Sequence, residues 1–549
     1  MKIALAQLNY HVGNFESNTA KIINHIKMAR NNGADLVVFS ELCVCGYPAR
    51  DFLEFNEFIS QCEGAAKAIA AACTGIACII GIPIPNHKPE GKELNNSAYF
   101  IENGEVKAIV NKALLPNYDI FDEYRYFEPS VEFNCIEFKG IRIALTICED
   151  LWNDIENPLY ITRPMDILIK QQPDVMINIA ASPFAYNHDE ERIAILKDNA
   201  SRYKLPLFYV NHVGAQTEII FDGGSLVFDN TGKLVDELPY FEESLAYYTL
   251  AKDGIITPEH AATVKVERDS DIEQIHQAII LGIQDYFYKS GFSRAILGLS
   301  GGIDSAVVCA LAAEALGAEN VMAVLLPSKF SSDHSLKDAE DLVKNLGCKH
   351  ETVPIRHITE AFETALHPQF KDLPFNIAEE NIQSRSRAVV LMAMCNKFGY
   401  ILLNTSNKSE AAVGYGTLYG DMCGGISVIG DVYKTQVFEL ARHINRHREI
   451  IPENSIIKPP SAELRPDQKD TDSLPEYDIL DKILFEYIEH RCSSAEIIKM
   501  GFDEHTVRRV IRLTNLAEHK RYQTPPILRV SPKAFGMGRR MPIVGKYLS

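Results

Sequence analysis

Residues 294–305 read Arg-Ala-Ile-Leu-Gly-Leu-Ser-Gly-Gly-Ile-Asp-Ser. A short apolar run, 295–299, gives way to two glycines, and a helical pattern follows over 306–316. This order predicts a buried strand, a tight turn and the start of a helix. Glycine lets the backbone approach a ligand closely, and the free N–H groups of a helix N-terminus attract phosphate. The stretch therefore predicts an α/β domain that binds a nucleotide phosphate.

The glycine turn differs from the commonest phosphate loop, G-x-x-x-x-G-K-[ST], because no lysine follows its glycines. Its pattern, S-G-G-x-D-S, resembles the pyrophosphate loop of the ATP pyrophosphatases, which split ATP into AMP and pyrophosphate. The serine hydroxyls add donors for phosphate, and the carboxylate of Asp304 could hold Mg²⁺. We therefore expect ATP to bind at Ser300, Gly301, Gly302, Asp304 and Ser305.

The bulk properties of the chain limit the classes of partner. With 549 residues it is too long for one hydrophobic core, so we expect roughly two to four domains. A formal net charge of −18 argues against a nucleic-acid partner, because such proteins bind phosphates largely through Lys and Arg. No signal peptide or bilayer-spanning apolar stretch is visible, so we expect no membrane partner. The 12 cysteines form no C-x-x-C pair, which favours reduced thiols and a cytoplasmic location.

Strand-like runs alternate with helical patterns in both halves of the chain, which predicts α/β domains. We place one domain at 1–250 and a second, which contains the glycine loop, at 271–549. The pattern lapses between them, and we interpret 251–270 as a linker. The strand-like runs are 3–8, 36–40, 78–84, 98–101, 141–147, 175–180, 207–211 and 226–229 in the first half, and 295–299, 321–326 and 401–404 in the second.

A proline-rich segment follows in the second half. Residues 450–476 hold five prolines among charged residues, and such a segment is not expected to form a regular element. It is either a disordered excursion or a lid over the nucleotide site. The lid is the interpretation that we favour.

Three residues of complementary chemistry end strand-like runs of the first half: Glu41, Lys112 and Cys148. A thiolate can attack an amide carbon, and a carboxylate can take and return the proton. An ammonium can lower the thiol pKa and stabilise the oxyanion. Each of these residues alone is more often structural or solvated, so only the combination predicts an amidase.

With their neighbours Ser40-Glu41-Leu42, Asn111-Lys112 and Cys148-Glu149-Asp150, these residues resemble the nitrilase superfamily over nearly all of 1–250. The resemblance implies a four-layer αββα sandwich with Glu41 as base, Lys112 as oxyanion stabiliser and Cys148 as nucleophile. Glu123 matches the second glutamate that the superfamily often uses. The residues that the resemblance implies for glutamine binding are Tyr118, Phe121, Glu123 and Ser182.

Longer motifs in the second half resemble the NAD synthetases. They are Asn-Ile-Gln-Ser-Arg-Ser-Arg at 381–387, Asn-Thr-Ser-Asn-Lys-Ser-Glu at 404–410, and Asp-Val-Tyr-Lys-Thr at 431–435. Two positions depart from the family pattern: Asn404, where glycine is commoner, and Met422-Cys423, where small residues are frequent. The resemblance implies that Thr405 and Lys434 bind ATP, that Arg385 and Asp421 bind deamido-NAD⁺, and that Asp304 and Glu410 hold Mg²⁺.

Together the halves resemble the glutamine-dependent NAD⁺ synthetase family. The resemblance implies that the first half releases ammonia from glutamine, and that the second uses ATP to adenylate and then amidate deamido-NAD⁺. The expected fold is α/β: an N-terminal nitrilase-like αββα sandwich, then a doubly wound parallel-sheet ATP pyrophosphatase domain. A homodimer or larger homo-oligomer is also implied. Two other functions stay open: a GMP-synthetase-like enzyme, and a non-catalytic nitrilase-like module joined to a nucleotide-sensing domain.

Overall fold

The chain forms two compact units, Met1–Arg268 and Asp269–Ser549. The computed structural model describes residues 1–153, 158–260, 264, 269–371, 373–466 and 468–546. Of the segment 251–270 that the sequence suggested as a linker, 261–263 and 265–268 lie outside the described residues. Its earlier part belongs to the first unit, because Ile256–Pro258 pairs as a strand with Ser244–Leu250.

The first unit is built from strands with helices between them. Its helices are α1 (Phe15–Asn31), α2 (Asn56–Ala72), α3 (Glu123–Tyr126), α4 (Pro164–Leu168) and α5 (His188–Tyr203). Its strands are β1 (Lys2–Gln7), β2 (Leu36–Phe39), β3 (Ala77–Pro85), β4 (Leu94–Glu102), β5 (Glu105–Asn111), β6 (Ile136–Phe138), β7 (Ile141–Ile147), β8 (Val175–Ile179), β9 (Leu207–Val210), β10 (Val213–Gln216), β11 (Ile219–Asp222), β12 (Leu226–Phe228), β13 (Leu234–Glu237), β14 (Ser244–Leu250) and β15 (Ile256–Pro258).

Two large sheets of the first unit pack face to face. Their strand orders are β15-β14-β1-β2-β3-β4-β5 and β13-β12-β9-β8-β7-β6. Apolar side chains of both sheets share one buried core, and the ring pairs Phe100–Phe138 and Phe208–Tyr248 cross between them at 5.3 and 5.8 Å. Helices α1 and α2 lie against the first sheet and α4 and α5 against the second. The predicted αββα sandwich is confirmed.

Strand direction decides where the site of the first unit lies. Strands β1, β2 and β3 are parallel, and β5 runs in the same direction as β3 because both pair antiparallel with β4. In the second sheet β7, β8 and β9 are parallel. The carboxyl ends of β2 and β5 therefore share one edge of their sheet, and those of β7, β8 and β9 share an edge of the other.

The second unit is a parallel sheet with helices on both faces. Its strands are β16 (Ala295–Gly298), β17 (Val321–Leu325), β18 (Lys349–Thr352), β19 (Ile401–Asn404) and β20 (Ile426–Ser427), in the order β18-β17-β16-β19-β20. Its helices are α6 (Asp271–Ser290), α7 (Ile303–Leu316), α8 (Asp333–Leu346), α9 (Arg356–Phe370), α10 (Ile377–Phe398), α11 (Lys408–Val413), α12 (Lys434–Ile444), α13 (Glu453–Ile457), α14 (Tyr477–Ile488), α15 (Ser494–Lys499), α16 (Glu504–Leu516) and α17 (Glu518–Arg521).

All strand pairs of this sheet are parallel, and α7 and α10 both contact β16. Ile296 packs in one core with Leu391 of α10, while Ala295 and Leu297 point to the opposite face because strand residues alternate. The doubly wound architecture expected from the sequence is confirmed. Within the residues that the structure describes, no helix has the length and apolar character needed to cross a membrane.

A buried ammonium fixes the start of α11. The Nζ of Lys408 lies 2.8 Å from Asp431 and donates to the hydroxyl of Ser531 at 2.7 Å. Asp431 also accepts the backbone N–H groups of Val530 and Ser531, at 2.8 and 2.7 Å. Although burial disfavours its charge, Asp431 and Glu489 raise the pKa of Lys408. Residues far apart in the sequence thus meet around one charge.

Candidate active sites

In the first unit the three residues expected to act together stand just beyond strand ends. Glu41 lies two residues past β2, Lys112 directly follows β5, and Cys148 directly follows β7. All three are buried. Because β2 and β5 end at the same sheet edge, the Nζ of Lys112 reaches Oε1 of Glu41 at 2.8 Å.

A third charged residue completes this cluster. The Nζ of Lys112 also lies 2.8 Å from Oε1 of Glu123, at the start of α3. The hydroxyl of Tyr47 donates to the same carboxylate at 3.0 Å. Lys112 thus lies between two carboxylates, and its side chain has no exposure to solvent.

The second oxygen of Glu41 is held by the other sheet. Oε2 accepts the backbone N–H of Ala181 at 3.0 Å, just past β8. Glu41 itself sits in a crowded turn, because a Cβ at Gly81 would lie 2.2 Å from the backbone nitrogen of Leu42. Gly81 therefore lets β3 pass directly beneath the turn that carries Glu41.

The charges of this cluster decide the protonation of its members. Burial, reinforced by Glu41 and opposed by Lys112, raises the pKa of Glu123 to about 7. Although burial disfavours an ammonium, Glu123 and Glu41 raise the pKa of Lys112 well above its ordinary value. Lys112 therefore stays charged, whereas Glu123 titrates close to neutral pH.

The nucleophile candidate is a neutral thiol in the resting site. Burial and the charge of Glu41 raise the pKa of Cys148 well above its ordinary value, and the opposing effect of Lys112 is smaller. Lys112 lowers the thiol pKa, as the sequence predicted, but desolvation and the charge of Glu41 outweigh this one cation, so the net shift is upward. A base must therefore remove the thiol proton during attack.

The backbone around Cys148 is turned and anchored. Cys148 has a φ of +41° and opens a 3₁₀ turn, Cys148–Leu151. Asp150 of this turn accepts the N–H groups of Ala113 and Leu114 at 3.0 and 2.9 Å, and that of Ile147 at 3.0 Å. One carboxylate thus fixes the end of β7 to the residues just after Lys112, a link that the sequence did not reveal.

Of the residues expected to hold glutamine, Tyr118 contacts the cysteine turn directly, through Glu149. Tyr118 and Phe121 form an edge-to-face ring pair at 5.4 Å. The hydroxyls of Tyr118 and Tyr160 each donate to Oε1 of Glu149, both at 2.9 Å, so Glu149 and Tyr160 join this group. Ser182 is buried, and its N–H donates to Oδ1 of Asn211 at 2.8 Å. These polar and aromatic groups form the surroundings of Cys148 that could recognise a small polar amide.

In the second unit the glycine loop follows β16 as expected. The hydroxyls of Ser300 and Ser305 lie 3.1 Å apart, and the N–H of Gly302 donates to Ser300 Oγ at 3.2 Å. Gly301 has a φ of +79°, and a Cβ there would lie 2.1 Å from the carbonyl oxygen of Ser335. The loop thus requires glycine for both backbone conformation and space, at the N-terminus of α7 where anions bind.

The acidic residues expected to hold a metal are joined by a lysine. The Nζ of Lys434 lies 2.5 Å from Asp304 Oδ2 and 3.6 Å from Glu410 Oε1, and Asn407 donates to Asp304 Oδ1 at 2.8 Å. Burial and the charge of Asp304 raise the pKa of Glu410 to about 8. Among the described residues no group of three or more His, Cys, Asp or Glu is placed to hold a metal by itself.

Thr405 directly follows β19, at the same sheet edge as the glycine loop. Asn404, where the family more often has glycine, donates to the carbonyl oxygens of Asp421 and Cys423 at 2.8 and 3.2 Å. The two departures from the family pattern therefore contact each other. Asp421 also accepts the hydroxyl of Ser384 at 2.6 Å.

Arg385 is an exposed residue of α10. Its Nε donates to the carbonyl oxygen of Leu418 at 3.1 Å. Ser384, which binds Asp421, directly precedes it on the helix. The structure therefore places Arg385 and Asp421 on neighbouring parts of the surface beyond β19.

The proline-rich segment 450–476 is packed onto the glycine loop. It contains α13 and a 3₁₀ turn, Asp470–Asp472, so the expectation of no regular element was wrong for these short pieces. Ser455 donates to the carbonyl oxygen of Gly301 at 3.0 Å. Glu463 accepts the hydroxyls of Ser332 and Ser335 at 2.8 and 2.7 Å. Asp467 lies outside the described residues.

Comparison with known proteins covers both units. Residues 2–257 match the family model for carbon-nitrogen hydrolase, and residues 275–524 match that for NAD synthase. A glutamine-dependent NAD(+) synthetase from Synechocystis sp. is 47% identical, covering 98% of this chain and 98% of its own length. One from Acinetobacter baylyi is 40% identical over 99% and 98% of the two chains.

The solved structures agree. The structure of glutamine-dependent NAD+ synthetase from Acinetobacter baumannii in complex with adenosine diphosphate has a TM-score of 0.78 and 37% identity. It covers 99% of this chain and 98% of its own. The similarity therefore extends through both units rather than to one of them.

Proposed function

This chain belongs to the family of glutamine-dependent NAD⁺ synthetases, ligases with glutamine as amido donor, and we propose that the two clusters described above share the reaction. The first unit hydrolyses glutamine to glutamate and ammonia. The second unit uses ATP and this ammonia to amidate deamido-NAD⁺. The observation that carries the division of roles is the buried Glu41–Lys112–Glu123 cluster beside Cys148, in a different unit from the glycine loop.

In the glutaminase step, Sγ of Cys148 attacks the carboxamide carbon of glutamine while Glu41 takes the thiol proton. The C–N bond then breaks, Glu41 returns the proton to the leaving nitrogen, and a thioester remains on Cys148. Lys112 stabilises the negative oxygen that develops. Water, deprotonated by Glu41, then attacks the thioester carbon; the C–S bond breaks, glutamate leaves, and Glu41 returns the proton to Sγ of Cys148. The raised pKa of the Cys148 thiol supports this order, because the proton must move as the sulfur attacks.

In the synthetase step, the nicotinate carboxylate of deamido-NAD⁺ attacks the α-phosphorus of ATP and pyrophosphate leaves. Ammonia then attacks the adenylated carboxyl carbon and displaces AMP. Ser300, Ser305 and the N–H groups of the glycine loop are suited to the phosphates. Lys434 brings a buried positive charge to the same place. Thr405, Arg385 and Asp421 remain proposed contacts of the nucleotide and the acid substrate.

Asp304 and Glu410 fit a bound Mg²⁺. Magnesium prefers one or two carboxylates together with phosphate oxygens, and these two carboxylates share one cation in Lys434. When bound, Mg²⁺ would neutralise the negative charge of the phosphates. Asp304→Ala should therefore lower the rate of AMP formation and raise the Mg²⁺ concentration at which it is half-maximal, and an unchanged Mg²⁺ requirement would contradict this assignment.

We also propose a cytoplasmic location, because twelve free cysteines suit a reducing compartment.

We further propose that the chain forms a homodimer or a larger homo-oligomer. Val389 and Met392, three residues apart on one face of α10, are 65% and 41% exposed. Apolar side chains that recur along one helix favour an interface. Light scattering of Val389→Asp and of the wild type tests this proposal. We expect a lower mass for the variant, and an unchanged mass would contradict an interface at this face of α10.

The overall reaction is tested by a coupled assay with glutamine, ATP and deamido-NAD⁺. We expect glutamate, AMP, pyrophosphate and NAD⁺ to form together. A GMP-synthetase-like enzyme would instead require xanthosine monophosphate, and a sensing module would form no AMP. Either of those results would reject the proposed function.

A further inference from the structure

Asn96, on β4, lies inside the charged cluster of the first unit, and the steps above give it no role. It is 1% exposed. Its Nδ2 donates to Oε1 of Glu41 at 2.7 Å and to Oε2 of Glu123 at 3.3 Å. Its backbone carbonyl accepts the N–H of Lys112 at 2.8 Å. One residue therefore contacts all three charged members of the cluster.

The two oxygens of Glu41 are not equivalent. Oε1 accepts from both Lys112 Nζ and Asn96 Nδ2, at 2.8 and 2.7 Å. A carboxylate oxygen has two lone pairs, so these two donors occupy Oε1. Oε2 accepts the N–H of Ala181 at 3.0 Å and retains a lone pair. A proton that is transferred to Glu41 therefore binds to Oε2.

The orientation of the Asn96 amide follows from the same contacts. With the amide reversed, its carbonyl oxygen would face the carboxylates of Glu41 and Glu123, which repel it. In the observed orientation Oδ1 is buried and has no hydrogen-bond partner among the described residues. Burying Oδ1 without a hydrogen-bond partner costs free energy. An asparagine at this position is therefore not explained by packing alone.

We propose that Asn96 is a positioning residue of the glutaminase site, which occupies Oε1 of Glu41 so that Oε2 takes the proton from Cys148. It also holds Glu123 beside Lys112. This inference rests on the proposed role of Glu41 as the base. The titratable groups around Glu41 are Tyr47 from the loop after β2, Lys112 beyond β5, Glu123 of α3, and Cys148 and Glu149 beyond β7.

The test compares Asn96→Ala, Asn96→Asp and the control Asn95→Ala in the full-length enzyme. Asn95 is the preceding residue of β4, is also buried, and donates to the carbonyl oxygen of Glu128 at 3.0 Å. Its removal costs one buried hydrogen bond away from the cluster. Glutamine-dependent synthesis is measured as kcat and KM across pH, and synthesis from ammonium salts is measured on the same samples.

We expect Asn96→Ala to lower kcat with glutamine roughly 10- to 100-fold, with KM for glutamine changed less than about threefold. The acid limb of the pH profile should move to higher pH, because losing a donor favours the protonated carboxylates. Asn96→Asp keeps the size of the side chain but adds a third carboxylate, so it should be worse than Asn96→Ala. Synthesis from ammonium salts should be unchanged in every variant.

A packing role would reverse the order of the variants. Asn96→Asp would then be milder than Asn96→Ala, and Asn96→Ala would match Asn95→Ala with an unmoved pH profile. Either result overturns the inference. If Asn96→Ala does not fold, Asn96→Ser against Asn95→Ser decides: an acid limb displaced only in the first supports the proposal, and no displacement overturns it. Absence of glutaminase activity in the wild type would instead reject the proposed function.

Discussion

At the scale of single residues, the glutaminase site brings charged groups and a neutral thiol into one buried cluster. Lys112 remains charged because two carboxylates flank it, while Cys148 remains a thiol because burial outweighs that one cation. The proposed nucleophile therefore becomes a thiolate only when its proton moves to the proposed base. The site therefore differs from one in which the cysteine is already a thiolate at rest. Substitutions of single residues can then distinguish their roles.

The first residue-scale prediction concerns the nucleophile. Cys148→Ala should abolish NAD⁺ synthesis from glutamine and leave synthesis from ammonium salts within about twofold, because only the first needs a thioester. Both rates can be followed as NAD⁺ formed. Cys135→Ala is the matched control, since this half-buried thiol of the same unit donates to the carbonyl oxygen of Leu168 and has no proposed catalytic role. A parallel loss of both activities in folded Cys148→Ala would refute the division of roles.

The second prediction concerns Glu123, whose pKa is about 7 when folded and whose ordinary value is 4.5. Between these pH values the folded protein keeps a proton that the unfolded chain has lost. The contribution of Glu123 to the free energy of unfolding should therefore fall as pH rises from 4.5 to 7, by at most about 3 kcal/mol, and level off above. We also expect an inflection near pH 7 in the glutaminase rate, and Glu123→Gln should make the pH dependence of unfolding shallower and remove this inflection.

Thermal unfolding from pH 4.5 to 8.5 measures the slope. The exposed carboxyl of Glu57, on α2, offers the control Glu57→Gln, which should keep the wild-type profile. A slope as steep in Glu123→Gln as in the wild type would assign the titration to another group.

Residue types at strand ends could be predicted from the sequence, but their partners could not. Glu41, Lys112 and Cys148 end apolar runs, which places them at sheet edges. Nothing in the sequence marked the contacts of Asn96 and Asp150. A single buried polar residue does not follow the apolar pattern of a strand, and its contacts depend on which strands pair. Asn96 could have been suspected only as a polar residue in the run 94–102, which is buried along most of its length.

At the scale of elements, apolar strands were predictable and polar ones were not. The buried runs of β1, β2, β7, β8 and β9 match their predicted positions within a residue or two. Strand β18 reads Lys-His-Glu-Thr and is exposed throughout, since it lies at the sheet edge. Its hydrogen-bonded pairing with β17 makes it a strand, although its side chains show no strand pattern. Such edge strands are invisible to hydrophobic patterning.

An element-scale prediction concerns the segment 450–476. Glu463→Ala removes the acceptor for Ser332 and Ser335, and Ser335 lies directly against Gly301. We expect the apparent KM for ATP to rise roughly 3- to 10-fold because the glycine loop loses support, with glutamine hydrolysis unchanged. Steady-state kinetics with varied ATP measures this.

The control is Glu476→Ala, an exposed carboxyl at the other end of the segment. It should leave the KM for ATP unaltered. Equal effects of the two substitutions would indicate a general loss of charge rather than a specific contact on the loop.

At the scale of the whole molecule, one chain makes ammonia and consumes it. At neutral pH released ammonia is mostly protonated, and the ammonium ion cannot attack the adenylate. We expect transfer without release, so one glutamate should form per NAD⁺ even with an external ammonia scavenger in excess. Substrate at the second unit should also accelerate glutamine hydrolysis at the first. Suppression of NAD⁺ by the scavenger, while glutamate continues to form, would show transfer through bulk water.

The charge cluster around Lys408 has a consequence for how the protein is made. A ribosome delivers Lys408 and Asp431 about a hundred residues before Val530 and Ser531, the groups that complete their hydrogen bonds. During that interval the cluster lacks its last donors and acceptor, so burying it would be unfavourable. The nucleotide half should therefore reach its native state only late in translation, whereas the preceding half can fold while it is still being extended. Nascent chains halted before Val530 would contain a folded glutaminase unit and a ligase unit that has not yet reached its native state.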